Sequence, residues 1–247
     1  MTGEKDMDKK RAIVFAGYSY DGLVFDDVYP YLKELRKYAD YIVAVYDNEK
    51  LNDDVVKKLM RDYVDTLIVS RHEEYDFGSY KRGYSYLKEK GVLDKVDKLI
   101  LCNDSVIFQG RGLEPFFKRE VKKDFYGFTA YKKGIQYNTP QKNIPPHIQS
   151  YFLSISKEIF SQDWFNDFIM SVKKESGKED VIINYELGIS QLIAKHGYPL
   201  TSFYPALEVE LCRTFLARFS GFHEEMEELF LLEKRKYAIA YQKGIRM

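Results

Sequence analysis

Apolar and polar positions alternate along this chain in two distinct rhythms. Short continuous apolar runs, "RAIVFAGYS" (11–19), "YIVAVYDN" (41–48), "DTLIVSR" (65–71) and "LILCNDS" (99–105), each break abruptly into polar residues. Runs of this length without polar interruption predict strands covered on both faces, as in a parallel sheet between helices. Between them lie stretches with helical spacing: Val28, Tyr31, Leu32, Leu35 and Tyr38; then Val55, Val56, Leu59, Met60 and Tyr63; then Phe77, Tyr80, Tyr84 and Leu87, with Gly91 as a stop. Four strand–helix alternations within the first 105 residues predict an α/β fold with a mostly parallel, Rossmann-like sheet flanked by helices.

The second half changes character. "DFYGFTAYKKG" (124–134) and "HIQSYFLSISKEIF" (147–160) read as strands, separated by a loop over 132–146 rich in Gly, Pro, Asn and Lys. A helix is expected near 161–174 and another over 179–196, ending at Gly197. The expected organisation is one domain over 1–247. Its first half spans about 11–120, its second half about 121–207, and a C-terminal helical segment 208–247.

Composition narrows the function classes. Lys+Arg and Asp+Glu both number 38, so no net charge draws the chain to nucleic acid. Only Cys102 and Cys212 occur, without a CxxC pair, which excludes a zinc ribbon or a disulfide framework. The charged start "MTGEKDMDKKR" resembles no signal peptide and no apolar run reaches membrane-spanning length, so a cytoplasmic protein is expected. The last segment, "EEMEELFLLEKRKYAIAYQKGIRM", reads as an amphipathic helix. It fits either a helix packed on the domain or peripheral contact with an anionic membrane.

In parallel sheets ligands bind beyond the carboxyl ends of the strands. Tyr18, Asp47, Arg71 and the triplet Asn103-Asp104-Ser105 all fall at such ends. A turn or helix cap explains Asn, Asp and Ser equally well at any one position; four strand ends delivering polar groups to one edge favour a site. Neither a G-x-G-x-x-G nor a G-x-x-x-x-G-K-[ST] loop is present, so side chains must build a nucleotide site here. Gly78 and Lys81 open the third helix, where an N-terminus and nearby cations attract a diphosphate. In the helix over 179–196, Glu186 falls among Ile182, Tyr185, Ile189, Leu192 and Ile193. An acid in an apolar stripe is either half of an ion pair with Lys or Arg or a carboxylate held inward as a general base.

These motifs carry a resemblance. "RHEEYDFGSYKRG", "NDS", "HIQSYFL" and "VIINYELGIS" resemble, in order, the rhamnan synthesis F family of bacterial glycosyltransferases, from about Ile13 to Leu207. The resemblance implies a GT-A-like fold. It also implies inverting transfer of a sugar, commonly L-rhamnose from a dTDP-linked donor, to a glycan or lipid-linked glycan of the bacterial cell surface. By position, Arg71, Gly78, Lys81 and Gly83 match the Arg…Gly…Lys-x-Gly element, Asn103, Asp104 and Ser105 the Asn-Asp-Ser element, and Glu186 the Tyr-Glu element. His147, Gln149 and Ser150 match His-x-Gln-Ser and would orient acceptor or sugar, with His147 an alternative base. Asn-Asp-Ser stands where other GT-A enzymes carry Asp-x-Asp, so Asp104 would be the ligand of an Mg²⁺ or Mn²⁺, with one carboxylate instead of two. The competing readings are a metal-dependent phosphotransferase or nucleotidyltransferase on the same strand ends, and a non-catalytic saccharide-binding partner.

Overall fold

The computed structural model describes residues 9–131, 144–204 and 232–234. Residues 1–8, most of the 132–146 loop and nearly all of the C-terminal segment 208–247, Cys212 included, lie outside the described residues.

The four apolar runs become β1 (Arg11–Gly17), β2 (Tyr41–Tyr46), β3 (Thr66–Val69) and β4 (Lys98–Asn103), in the order β3-β2-β1-β4 and all parallel. Between them run α1 (Val28–Arg36), α2 (Asp53–Asp62) and α3 (Tyr75–Glu89). The chain then forms β5 (Val106–Phe108), α4 (Glu114–Glu120), β6 (Phe125–Tyr131), β7 (His147–Ile148) and β8 (Phe152–Ser156). Helices α5 (Lys157–Phe160), α6 (Asp163–Met170), α7 (Lys178–Val181) and α8 (Gly188–Lys195) follow, then β9 (Thr201–Tyr204) and β10 (Leu232–Lys234). Strand β8 inserts antiparallel between β4 and β6, so the sheet is mixed and β6 again points the same way as β1.

Each central strand feeds two cores, as the two-residue repeat of a strand requires. Ala12, Val14, Ala16, Leu99 and Leu101 face one layer, closed by Phe77, Tyr80, Phe165 and Ile189. Ile13, Phe15, Ile100 and Cys102 face the other, closed by Tyr31, Leu32, Leu59 and Phe116. Gly83 lets α3 press onto the first layer: a Cβ there would lie 2.3 Å from Val14 Cγ1. This is a packing role, and it explains a glycine in mid-helix where one costs about 1 kcal/mol in propensity.

Four expectations shift. Met60 is exposed while Val55 and Leu59 carry the buried side of α2. "HIQSYFLSISKEIF" is two strands and a helix, since β8 stops at Ser156 and Lys157–Phe160 turns helical. The helix expected near 161–174 is the shorter α6. The 179–196 helix carries a π-turn over Ile182–Leu187 between α7 and α8. The i→i+5 hydrogen bonding of that turn widens it and changes the phase of its side chains. Ile182 is 37% exposed, while Tyr185, Ile189 and Ile193 stay buried.

Candidate functional site

The carboxyl ends of β1 to β4 meet the start of α3, the π-turn and the segment after β7. Asp47, just past β2, is buried and gives the edge its shape. Its Oδ1 accepts from the His72 N–H at 2.8 Å, and both its oxygens accept from the Glu73 N–H at 3.1 Å. These bonds hold the β3–α3 loop in a bend where Glu73 (φ 58) and Tyr75 (φ 56) adopt left-handed backbone. Such a conformation costs on the order of 1–3 kcal/mol per non-glycine residue and persists only where neighbours fix it. Asp47 therefore holds the loop that follows β3.

The loop presents Arg71. Its guanidinium donates to the Asp47 carbonyl at 3.3 Å, pairs with Glu73 at 3.3 Å and lies 5.9 Å from the exposed Tyr18 ring. Lys174 reaches Glu73 from the opposite wall at 2.5 Å. Lys81 is elsewhere: its ammonium donates to the Val172 carbonyl at 2.7 Å and ties α3 to the end of α6. The pairing of Arg71 with Lys81 expected from sequence is thus replaced by Arg71 with Lys174. Gly78 faces protein as well, because a Cβ would lie 2.6 Å from His72 Nδ1. Its hydrogen makes room for the buried His72 ring. That ring accepts the Glu74 N–H at Nδ1 (3.1 Å), so Nε2 carries the hydrogen shared with Ser79 Oγ at 3.0 Å. Burial lowers the pKa of His72, in keeping with a neutral ring.

The Asn103-Asp104-Ser105 triplet is a turn and more. Asn103 Oδ1 accepts from the Ser105 N–H (3.1 Å) and hydroxyl (2.6 Å), the closure expected of an Asx turn. Its amide donates at 2.7 Å to Asp76 Oδ2 in the first turn of α3. Asp104 Oδ2 accepts the Tyr18 N–H at 3.0 Å, joining the ends of β4 and β1. Asn103 and Ser105 are thus turned upon each other, and the carboxylates at this point are Asp104 and, across the Asn103 amide, Asp76. Among the described residues no three His, Cys, Asp or Glu side chains converge as a metal cage. A cation here would be held by Asp104 together with the oxygens of a bound diphosphate.

The second carboxylate cluster faces the first. Ser150 donates its N–H (3.0 Å) and hydroxyl (2.5 Å) to Glu186 Oε2, and His147 Nε2 lies 3.8 Å from Oε1. Glu186 is partly exposed, and among the described residues its partners are Ser150 and His147, with no Lys or Arg. Ser150 holds the acid instead of standing free for an acceptor; its carbonyl is fixed by Tyr80 Oη at 2.9 Å. His147 stacks on Tyr131 (centroids 5.2 Å apart), with Nδ1 3.0 Å from the Pro145 carbonyl. Gln149, between them, is buried, its N–H given to the Thr129 carbonyl at 2.9 Å.

Asp76 is the functional candidate that sequence reading misses, because an acid in a first helical turn is an ordinary partner of the helix dipole. Desolvation, reinforced by the charges of Glu186 and Asp47, pushes its carboxyl up to about 6, against the pull of the Asn103 hydrogen bond and Lys178. An acid raised in the folded state favours folding while protonated, and that advantage is lost as pH rises from about 4 through about 6. A shift of roughly two units corresponds to about 3 kcal/mol. Asp76→Asn keeps an acceptor for Asn103 and removes the charge. Its stability relative to wild type should therefore rise by up to about 3 kcal/mol between pH 4 and pH 7.5. Paired thermal melts test this; a stability difference unchanged across that range would show that Asp76 titrates normally.

The chain is 27% identical over 202 residues to "Virulence protein VirA" of Vibrio anguillarum, covering 80% of this chain and 60% of that protein. It is 26% identical over 206 residues to "Uncharacterized protein y4gN" of Sinorhizobium fredii, covering 82% of this chain and 50% of that one. The chain thus spans less than two thirds of the length of these relatives. Among solved structures, 4-diphosphocytidyl-2C-methyl-D-erythritol synthase superposes with a TM-score of 0.50 at 12% identity, over 78% of this chain and 88% of that one. That likeness extends to the nucleotidyltransferase-like, Rossmann-like fold and no further. The family described as rhamnan synthesis protein F matches residues 42–232, which take in Asp47, Arg71, Asp76, the Asn-Asp-Ser turn, His147 and Glu186. With most of its length and every strand-end group after β1 inside that match, the chain belongs to the rhamnan synthesis protein F family.

Proposed function

We propose that this chain is an inverting glycosyltransferase of surface-polysaccharide assembly, with L-rhamnose from a dTDP-linked donor as the sugar its family points to. The observation that carries the reading is Glu186, held by two Ser150 donors while its second oxygen faces His147, at the edge where the strand ends converge. In transfer, the acceptor hydroxyl attacks the anomeric carbon, the bond from that carbon to the diphosphate oxygen breaks, and the hydroxyl proton passes to a base. A carboxylate whose one oxygen is fixed and whose other is open suits that base. His147, 3.8 Å away, orients the acceptor.

The leaving diphosphate gathers negative charge and needs cations that are already in place. Arg71 and Lys174, joined through Glu73, supply them beside the N-terminus of α3. Tyr18, exposed next to Arg71, offers a face for the nucleobase. Asp76, fixed by Asn103 between this cluster and Glu186, is placed to accept a hydrogen bond from a donor-sugar hydroxyl. A thermal-shift series with dTDP-, UDP- and GDP-sugars, with and without Mn²⁺, tests the donor. A ligand at 100 times its dissociation constant should add about 2.7 kcal/mol of stability. The dTDP-sugar should give the largest shift; no shift with any of the three would end this reading.

A further inference from the structure

Helix α3 carries two tyrosines whose buried hydroxyls each donate to a backbone carbonyl far away in sequence. Tyr80 Oη donates to the Ser150 carbonyl at 2.9 Å, and Tyr84 Oη, one turn further, to the Phe160 carbonyl at 3.2 Å. Both rings pack in the same core layer. A buried tyrosine hydroxyl ordinarily takes whatever acceptor lies nearby, and Tyr84 needs no other explanation. Its acceptor Phe160 closes α5. That helix follows Ser156, which pairs with Lys98 at the start of β4, the sheet edge opposite the site. The acceptor of Tyr80 is different, because Ser150 gives its own N–H (3.0 Å) and hydroxyl (2.5 Å) to Glu186 Oε2.

Ser150 lies in the short connection between β7 and β8, where no long ladder holds the backbone. The connection is tied group by group instead. The Ile148 N–H goes to Ser190 Oγ at 3.1 Å, the Gln149 N–H to the Thr129 carbonyl at 2.9 Å, and the Tyr151 carbonyl accepts the Asn103 N–H at 3.2 Å. Of these ties, the Tyr80 bond is the one that comes from α3. Asp76, four residues before Tyr80, is held by the Asn103 amide at 2.7 Å. Positions four apart share one helix face, so a single turn of α3 reaches the donor cluster with Asp76 and the Glu186 support with Tyr80. Burial, and then the charges of Asp76, Glu186 and Asp104, hold the pKa of the Tyr80 hydroxyl well above the usual tyrosine range. The hydroxyl therefore stays protonated and remains a donor.

We propose that Tyr80 is a positioning residue for the transfer reaction: through the Ser150 carbonyl, its hydroxyl fixes the orientation in which Ser150 presents both donors to Glu186. It thereby sets the place of the base relative to the sugar site at Asp76. This deepens the glycosyltransferase reading and rests on it for the reaction. The hold on Ser150 can be measured without turnover.

The test compares Tyr80→Phe with Tyr84→Phe, since each deletes one buried hydroxyl from the same helix. Hydrogen exchange at the Ser150 amide, followed by nuclear magnetic resonance without substrate, should quicken about tenfold in Tyr80→Phe and stay as in wild type in Tyr84→Phe. The kcat of transfer should fall about 10–100-fold in Tyr80→Phe, the scale of a small misplacement of a reacting group, with the donor KM unchanged. Tyr84→Phe should turn over as wild type does. In a Glu186→Gln background, Tyr80→Phe should cost no further rate, as expected of groups that act as a unit. A role in packing alone predicts that the two tyrosine variants behave alike. That result overturns the proposal, as does an unchanged Ser150 amide, full kcat in folded Tyr80→Phe, or an additive loss with Glu186→Gln. Should Tyr80→Phe not fold, p-aminophenylalanine at position 80 keeps the ring and a weaker donor. Turnover and amide exchange equal to wild type in that protein would overturn the proposal equally. A Ser150 amide that responds as expected, in a protein that releases no nucleoside diphosphate from any donor, would keep Tyr80 as the residue that holds Glu186 and end the transfer reading.

Discussion

Glu186→Gln is expected to bind donor as wild type does and to turn over about 10²–10⁴ times more slowly, the usual contribution of a general base. The structure makes this a clean substitution. Glu186 Oε2 accepts from the Ser150 N–H and hydroxyl, and a glutamine oxygen can accept the same two bonds. What is removed is proton acceptance at Oε1, the oxygen that faces His147 at 3.8 Å. No Lys or Arg pairs with Glu186 among the described residues, so neutralisation strands no buried cation, and the melting temperature should stay within a few degrees. A stable variant with wild-type turnover would remove Glu186 from the mechanism and leave His147 as the base. A variant that melts far lower would mean that the carboxylate holds the segment after β7 in place and does nothing more.

Glu120→Gln should be the most damaging single neutralisation for the fold. Glu120 is fully buried at the end of α4. Its Oε2 takes Arg11 Nη2 at 3.0 Å, its Oε1 takes the Ser154 hydroxyl at 2.5 Å, and Lys98 Nζ lies 3.8 Å away. Arg11 and Lys98 are buried too, at 2% and 3% exposure, and the acid pairs with both inward cations, with Asp124 adding a weaker attraction on Lys98. Burial already lowers the pKa of Lys98. Removing the partner of a buried charge costs about 3–5 kcal/mol, which in a chain of this size corresponds to a fall in melting temperature of roughly 10 °C. Replacing the group as a whole, with Glu120→Leu, Arg11→Met and Lys98→Met, should recover much of that loss, because well-packed apolar residues are often as stable as a buried ion network. A Glu120→Gln protein that melts with wild type would show that water reaches the cluster.

The strands were legible because their physics is local. β1 and β4 are buried along their whole length, and apart from Arg11, Lys98 and Asn103 at their ends every residue in them is apolar or glycine, as burial on both faces of a sheet favours. The strand-end groups Tyr18, Arg71 and Asp104 were legible for a related reason, since a polar break after such a run can only fall at the edge. Partnership across the fold was not legible. Arg11 meets Glu120 across 109 positions, and Lys81 meets the Val172 carbonyl across 91. Nothing near Lys81 in sequence distinguishes a lysine that ties two helices from one that awaits a phosphate. The helical period that sets Glu186 in an apolar stripe does not hold there. The π-turn carries Ile182 out to solvent and leaves the acid at the border between core and cleft. Asp76 escaped notice because its distinction is the Asn103 amide that holds it, 27 positions away.

The most direct measurement of the central claim is to follow which bond to phosphorus or carbon breaks, by ³¹P nuclear magnetic resonance on wild-type protein with a glycan acceptor. One sample carries a dTDP-sugar and the other a nucleoside triphosphate with a sugar phosphate. Glycosyl transfer predicts that nucleoside diphosphate accumulates in the first sample, only as fast as acceptor is consumed, and that the second stays unchanged. Pyrophosphate growing in the second sample while the first stays unchanged would contradict it, and would assign these strand ends to nucleotidyl transfer instead.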